Sequence, residues 1–159
     1  SVFAQATGLG LRFHPDFNHT GGEDTELMLR AKRAHGIKLA GCPKACVTEK
    51  LRGNRRKLGH HLSRTMSMQL AGFRIAALHR KNDVIKTETP LAKMVFKRGL
   101  NSFLLGLKRL TIGLFQLPFS KHKAQGTLGL GLEHMARAAA VFAFLSGRFA
   151  ERYGSADKD

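Results

Sequence analysis

Thr20-Gly21-Gly22-Glu23-Asp24-Thr25-Glu26-Leu27 sets two conformationally free residues ahead of two adjacent carboxylates, and the sequence that follows reads as a helix. Leu27, Ala31 and Ala34 fall at i, i+4 and i+7, and Glu26 stands four residues before Arg30, the spacing of one helical face. His35-Gly36 is a stop signal. Carboxylates in a first turn complement the helix dipole, and the glycines leave the backbone open to close approach. Two readings fit these residues alone. One is a well-capped surface helix; the other is an enzyme base delivered to a substrate.

The wider order of features separates them. The Gly-Gly-Glu-Asp helix is followed by Ile37 to Glu49, which reads as two short strands, Ile37 to Leu39 and Ala45 to Val47, around the turn Gly41-Cys42-Pro43-Lys44. An arginine-rich segment comes next. Over roughly residues 8 to 80 this succession resembles the acceptor-side half of family 2 glycosyltransferases. The resemblance implies an α/β fold, the C-terminal half of a GT-A type nucleotide-sugar transferase domain, followed by a mainly α-helical, membrane-associated tail. It implies inverting transfer to a lipid-linked or polysaccharide acceptor. Asp24 is then the general base and Glu23 orients the acceptor or the base, while Gly21 and Gly22 make room for the sugar. Arg55, Arg56 or Arg64 would neutralise the leaving diphosphate, a task suited to the guanidinium fork.

In that family a preceding half supplies the nucleotide-binding strands and an Asp-x-Asp for a divalent metal, Mg or Mn. No such half precedes Ser1, so the chain reads as a C-terminal fragment that is inactive alone and binds no metal by itself. Its one Asp-x-Asp, Asp157-Lys158-Asp159, sits at the very end. Where family members place a histidine that helps hold the metal, this chain has Thr48, with Glu49 next.

Composition bounds the alternatives. The chain has 159 residues, 43% of them hydrophobic, and a net charge of +16, enough for one modest domain or a half-domain with an appendage. Between Lys50 and Asn82 no acidic residue occurs, and Pro90 to Leu132 is also free of Asp and Glu. One-signed charge on this scale calls for an anionic partner: phospholipid head groups, a diphosphate or nucleic acid. A nucleic-acid-binding module is the main competing reading, but its cations are not interleaved with aromatic residues and no zinc or RNA-binding signature is present. A non-catalytic membrane-surface protein is the third.

Cys42 and Cys46 cannot make a disulfide framework; on extended chain they would lie about 13 Å apart, which favours a reducing, cytoplasmic setting. His14, Asp16 and His19 share a loop without the paired spacing of a metal site, and His60-His61 point about 100° apart on a helix, as parts of a basic face.

The sequence divides into residues 1–49, the acceptor-side half of the catalytic domain; 50–82, a basic loop and a helix with Leu58, Leu62, Met66, Leu70 and Phe73 at helical spacing; and 83–159, an amphipathic helical tail. Within the tail, Phe103 to Phe119 is dense in large apolar residues but broken by Lys108-Arg109, and a second apolar stretch surrounds Ala138 to Leu145. A spanning helix needs about 20 predominantly apolar residues. The expectation is a shallow hairpin lying in the head-group layer, at the cytoplasmic face; an ordinary soluble helical bundle is the alternative.

Overall fold

The computed structural model describes residues 10–17, 21–48, 50, 53–82, 84 and 89–147, with the side chains of Asn54 and Arg56 left undescribed. Four helices carry the fold: α1 (Glu23–His35), α2 (Leu58–Lys81), α3 (Leu91–Gln116) and α4 (Lys121–Leu145), with 3-10 turns at Pro15–Phe17 and Gly53–Arg56. The α/β expectation is overturned, because the described residues contain no strand and no sheet. The physical reason lies at 37–47. Short apolar runs become strands only when another strand accepts their ladder bonds, and none is present among the described residues. Instead Leu39 and Val47 stand exposed along irregular chain, broken by a turn in which the Ala45 amide donates to the Cys42 carbonyl.

Helix α1 ends where the glycine directs. Gly36 takes a left-handed conformation (φ 66°), its N–H and that of Ile37 both donate to the Ala31 carbonyl, and Ile37 packs back on Leu11, Leu27 and Ala31. Its start is set against α2 through Gly22, whose φ of 94° is left-handed and whose missing Cβ would stand 3.0 Å from the Ala71 Cβ. A side chain there would meet both conformational strain and a steric wall.

The second half is a hairpin. Pro118 cannot continue α3, and residues 117–120 return the chain so that α3 and α4 run antiparallel in close contact. Their seam is built from absent side chains. Gly99, Gly106 and Gly113 recur every seven residues along one face of α3 and are buried. A Cβ on Gly113 would lie 2.7 Å from Leu128, one on Gly99 2.8 Å from Val141, and one on Gly131 of α4 2.9 Å from Leu110. Small residues of this kind bring helix backbones together. Helix α2 docks on the hairpin through Phe73, which is fully buried with Val95 and Val141 and whose ring lies 5.3 Å from that of Phe144.

Outside the seam the hairpin is apolar. Phe96, Leu104, Leu107, Leu114, Phe115 and Phe142 are all exposed, an area of a kind that soluble monomers seldom present. Helix α4 is long and apolar enough to cross a membrane by length and composition, and only 17% of its apolar window is buried. The apolar stretch that meets this criterion is therefore α4, whereas the sequence put the emphasis on 103–119, where Lys108 and Arg109 interrupt α3.

Candidate functional site

A pocket of about 370 Å³ opens between the start of α1 and one face of α2. Arg64, Ser67, Met68, Ala71 and Ile75 follow one another at i, i+3, i+4, i+7 and i+11, so a single helical stripe forms its α2 wall. Gly21, Gly22, Asp24 and Thr25 form the opposite wall. The floor is apolar, from Met68, Ala71 and Ile75; the polar groups are Asp24, Thr25, Arg64 and Ser67. The size is that of a small-molecule site.

Two left-handed glycines, Gly21 at φ 71° and Gly22 at φ 94°, turn the chain into α1 and put Asp24 at the pocket wall. Asp24 is exposed, and its Oδ1 accepts from the Thr25 backbone N–H at 2.6 Å and from the Thr25 hydroxyl at 3.3 Å. Of the sequence-predicted residues, Gly21, Gly22, Asp24 and Arg64 converge here, although Arg64 is 40 positions from Asp24. Glu23 is half-buried and outside the lining. Arg55 is exposed on the turn before α2, likewise away from the pocket, and the Arg56 side chain lies outside the described residues.

What steadies the pocket was missed in the sequence. Glu26, one turn behind the site, is fully buried together with His79 of α2. The Arg30 guanidinium grips its carboxylate with two bonds, 2.9 and 3.0 Å, and donates a further bond of 2.6 Å to the Arg12 carbonyl. His79 Nε2 lies 3.0 Å from Glu26 Oε1, and His79 Nδ1 lies 3.1 Å from Arg33 Nη1. A guanidinium only donates, so Nδ1 accepts and Nε2–H is the donor to Glu26. Burial pushes the Glu26 carboxyl up, but the hydrogen bonds from Arg30 and His79, with the charge of Arg30, outweigh it and hold the group below its ordinary value. The Glu26–Arg30 spacing was legible; His79, 53 residues away, carried no signal.

The pocket offers one carboxylate beside a guanidinium, a donor set that does not fit a divalent cation. Among the described residues no three His, Cys, Asp or Glu side chains cluster to hold one. Cys42 and Cys46 are exposed free thiols, and His14 faces Asp16 at 3.7 Å; His19, Glu49, Asp157 and Asp159 lie outside the described residues. His61, read as part of a basic face, instead reaches across to α4, with Nε2 2.6 Å from Glu133 Oε1.

Compared with known protein families, curated proteins and solved structures, the chain finds no match.

Proposed function

We propose that this chain is the acceptor-handling part of an inverting sugar transferase that works at a membrane surface. The observation that carries the reading is the convergence of Gly21, Gly22 and Asp24 with Arg64 in one open pocket. It does not depend on a GT-A sheet. An acceptor hydroxyl seated against the glycines gives its proton to Asp24 as its oxygen attacks the anomeric carbon, and the nucleoside diphosphate departs from the opposite face. A positioned carboxylate contributes about 10²- to 10⁴-fold to such a step. Arg64, the cation in the lining, stabilises the negative charge that develops on the leaving group. Glu26, held by Arg30 and His79, keeps the first turn of α1 at its distance from α2.

The apolar exterior of the α3–α4 hairpin and its flanking cations support a peripheral or shallowly inserted position on the anionic, cytoplasmic leaflet, which suits a lipid-linked acceptor or a growing polysaccharide at the membrane. Donor binding by residues outside this chain is part of the same reading.

The test is transfer by the full-length protein carrying Asp24→Asn or Glu23→Gln. Asp24→Asn keeps the shape and loses the proton acceptor, so turnover is expected to fall about 10²- to 10⁴-fold with donor affinity unchanged. Glu23→Gln, outside the pocket, is expected to cost less. An Asp24→Asn protein that keeps more than about a tenth of wild-type turnover removes Asp24 from the role of general base.

A further inference from the structure

Halfway along the hairpin the glycine seam is interrupted by charge. A Cβ on Gly106 would lie 3.2 Å from the His134 Cβ, so His134 stands directly against α3 at that level. Arg109 is one turn beyond Gly106 on α3, and Arg137 is one turn beyond His134 on α4. Because α3 and α4 run antiparallel, these two steps lead in opposite directions, and Arg109 and Arg137 lie to either side of His134 along the seam. Both arginines act electrostatically on His134: burial first, then the charge of Arg137 and of Arg109, push its proton affinity down, with Glu133 opposing.

The local acid does not neutralise this group. Glu133 is engaged by His61 of α2 at 2.6 Å and meets Arg137 only at 3.4 Å. Arg109 has no ion-pair partner among the described residues, and the buried Nδ1 of His134 has no hydrogen-bond partner there either. Around the cluster the surface is apolar. Leu105 and Ile112 lie one turn either side of Arg109, and Leu130 lies one turn before His134; all three are exposed.

We propose that Arg109, Arg137 and His134 form a site for a phosphate monoester, filled by a lipid head group whose chains lie along Leu105, Ile112 and Leu130. Two guanidinium forks match the oxygens of a phosphate, and a dianion supplies the charge that Glu133 cannot. A head group at this position fixes the depth at which the hairpin rests in the membrane. The inference stands apart from the transfer reading, since none of its residues lines the Asp24 pocket.

The experiment uses the whole chain and vesicles of phosphatidylcholine doped with phosphatidic acid, a monoester, or with phosphatidylglycerol, a diester, adjusted to equal surface charge. Retention on the phosphatidic acid vesicles is expected to be the stronger. Arg109→Gln and Arg137→Gln are each expected to weaken retention on the diester about fivefold, the worth of one cation near an anionic surface, and to weaken retention on the monoester by more than that. Arg109→Lys, which keeps the charge and loses the fork, is expected to fall between. Equal retention on both lipids, insensitive to the arginine variants, overturns the proposal.

A measurement on the unmodified chain guards against variants that misfold. The titration midpoint of His134, followed by NMR, is expected to rise when phosphatidic acid vesicles are added, because a bound dianion favours the imidazolium. Inorganic phosphate without vesicles distinguishes the source. A rise with the lipid alone assigns the site to head groups, and a rise with both assigns it to a phosphate from either source; no rise with either refutes it.

Discussion

The two halves of this molecule hold helices together by opposite means. Between α1 and α2 the joint is polar: buried Glu26 and Arg33 of α1 both bond His79 of α2, and Arg30 holds Glu26 in place while tying down the Arg12 carbonyl. Between α3 and α4 the joint is made by omission, with Gly99, Gly106, Gly113 and Gly131 letting backbones meet. A joint of directed bonds fixes orientation as well as distance, which suits a wall that must hold Asp24 over a pocket. A joint of close packing leaves many large apolar side chains free to face outward, which suits a surface that meets lipid. On the proposed reading, the first joint would serve the chemistry and the second the membrane.

The comparison breaks most readily at Glu26. Glu26→Ala leaves His79 and the inner face of Arg30 without their shared acceptor, and loss of one partner from a buried ionic group costs about 3–5 kcal/mol. Denaturant midpoints measured in mild detergent are expected to show it, with the α1–α2 half lost first by hydrogen exchange. The same carboxylate gives the joint an acid limit. Its folded proton affinity is depressed, so the stability it contributes is complete above the ordinary value of 4.5 and is lost as the pH falls from there through the lower folded value. Wild type and Glu26→Ala should therefore converge in stability below that window and diverge above it. A constant difference between pH 7 and pH 3 would show that the cost is packing rather than charge.

On the hairpin, Gly113→Ala drives a methyl to within 2.7 Å of Leu128 and is expected to cost about 1–3 kcal/mol by overpacking. Gly129→Ala on α4, where a Cβ meets nothing within 4 Å, is expected to gain up to about 1 kcal/mol through helix propensity. Opposite signs for the same chemical change would establish the seam; equal effects would dismiss it. The smallest change is expected at the polar contact between α2 and α4, apart from the buried Phe73 core that docks α2 on the hairpin. His61 is more than half exposed where it meets Glu133, so His61→Ala should cost at most about 1 kcal/mol. A larger loss would mean that this exposed pair, and not the Phe73 core alone, holds α2 on the hairpin.

Part of this arrangement was open to a reader of the sequence. The limits of α1 followed from the Glu26–Arg30 spacing and from Gly36, and Asp24 with its glycines could be singled out because unusual residues stood together. The strands at 37–47 were misread because a short apolar run has the same pattern whether or not a partner strand exists, and pairing is a property of the whole chain. Arg64 came behind Arg55 and Arg56 in the sequence reading; the α2 stripe sets it in the pocket wall. His79 was invisible because a buried hydrogen bond between distant positions leaves no local pattern. The seven-residue recurrence of Gly99, Gly106 and Gly113 was present in the sequence and passed unused.

That recurrence ties the evolution of the two hairpin helices together. Three of the seam glycines each face one defined neighbour: 99 faces 141, 113 faces 128, and 131 faces 110. A descendant that acquires a methyl at 113 can keep the helices at their present distance only by trimming position 128, and one that loses Val141 gains room for growth at 99. Among relatives of this chain these positions should change in pairs, so that the antiparallel register of α3 and α4 would be recoverable from inheritance alone.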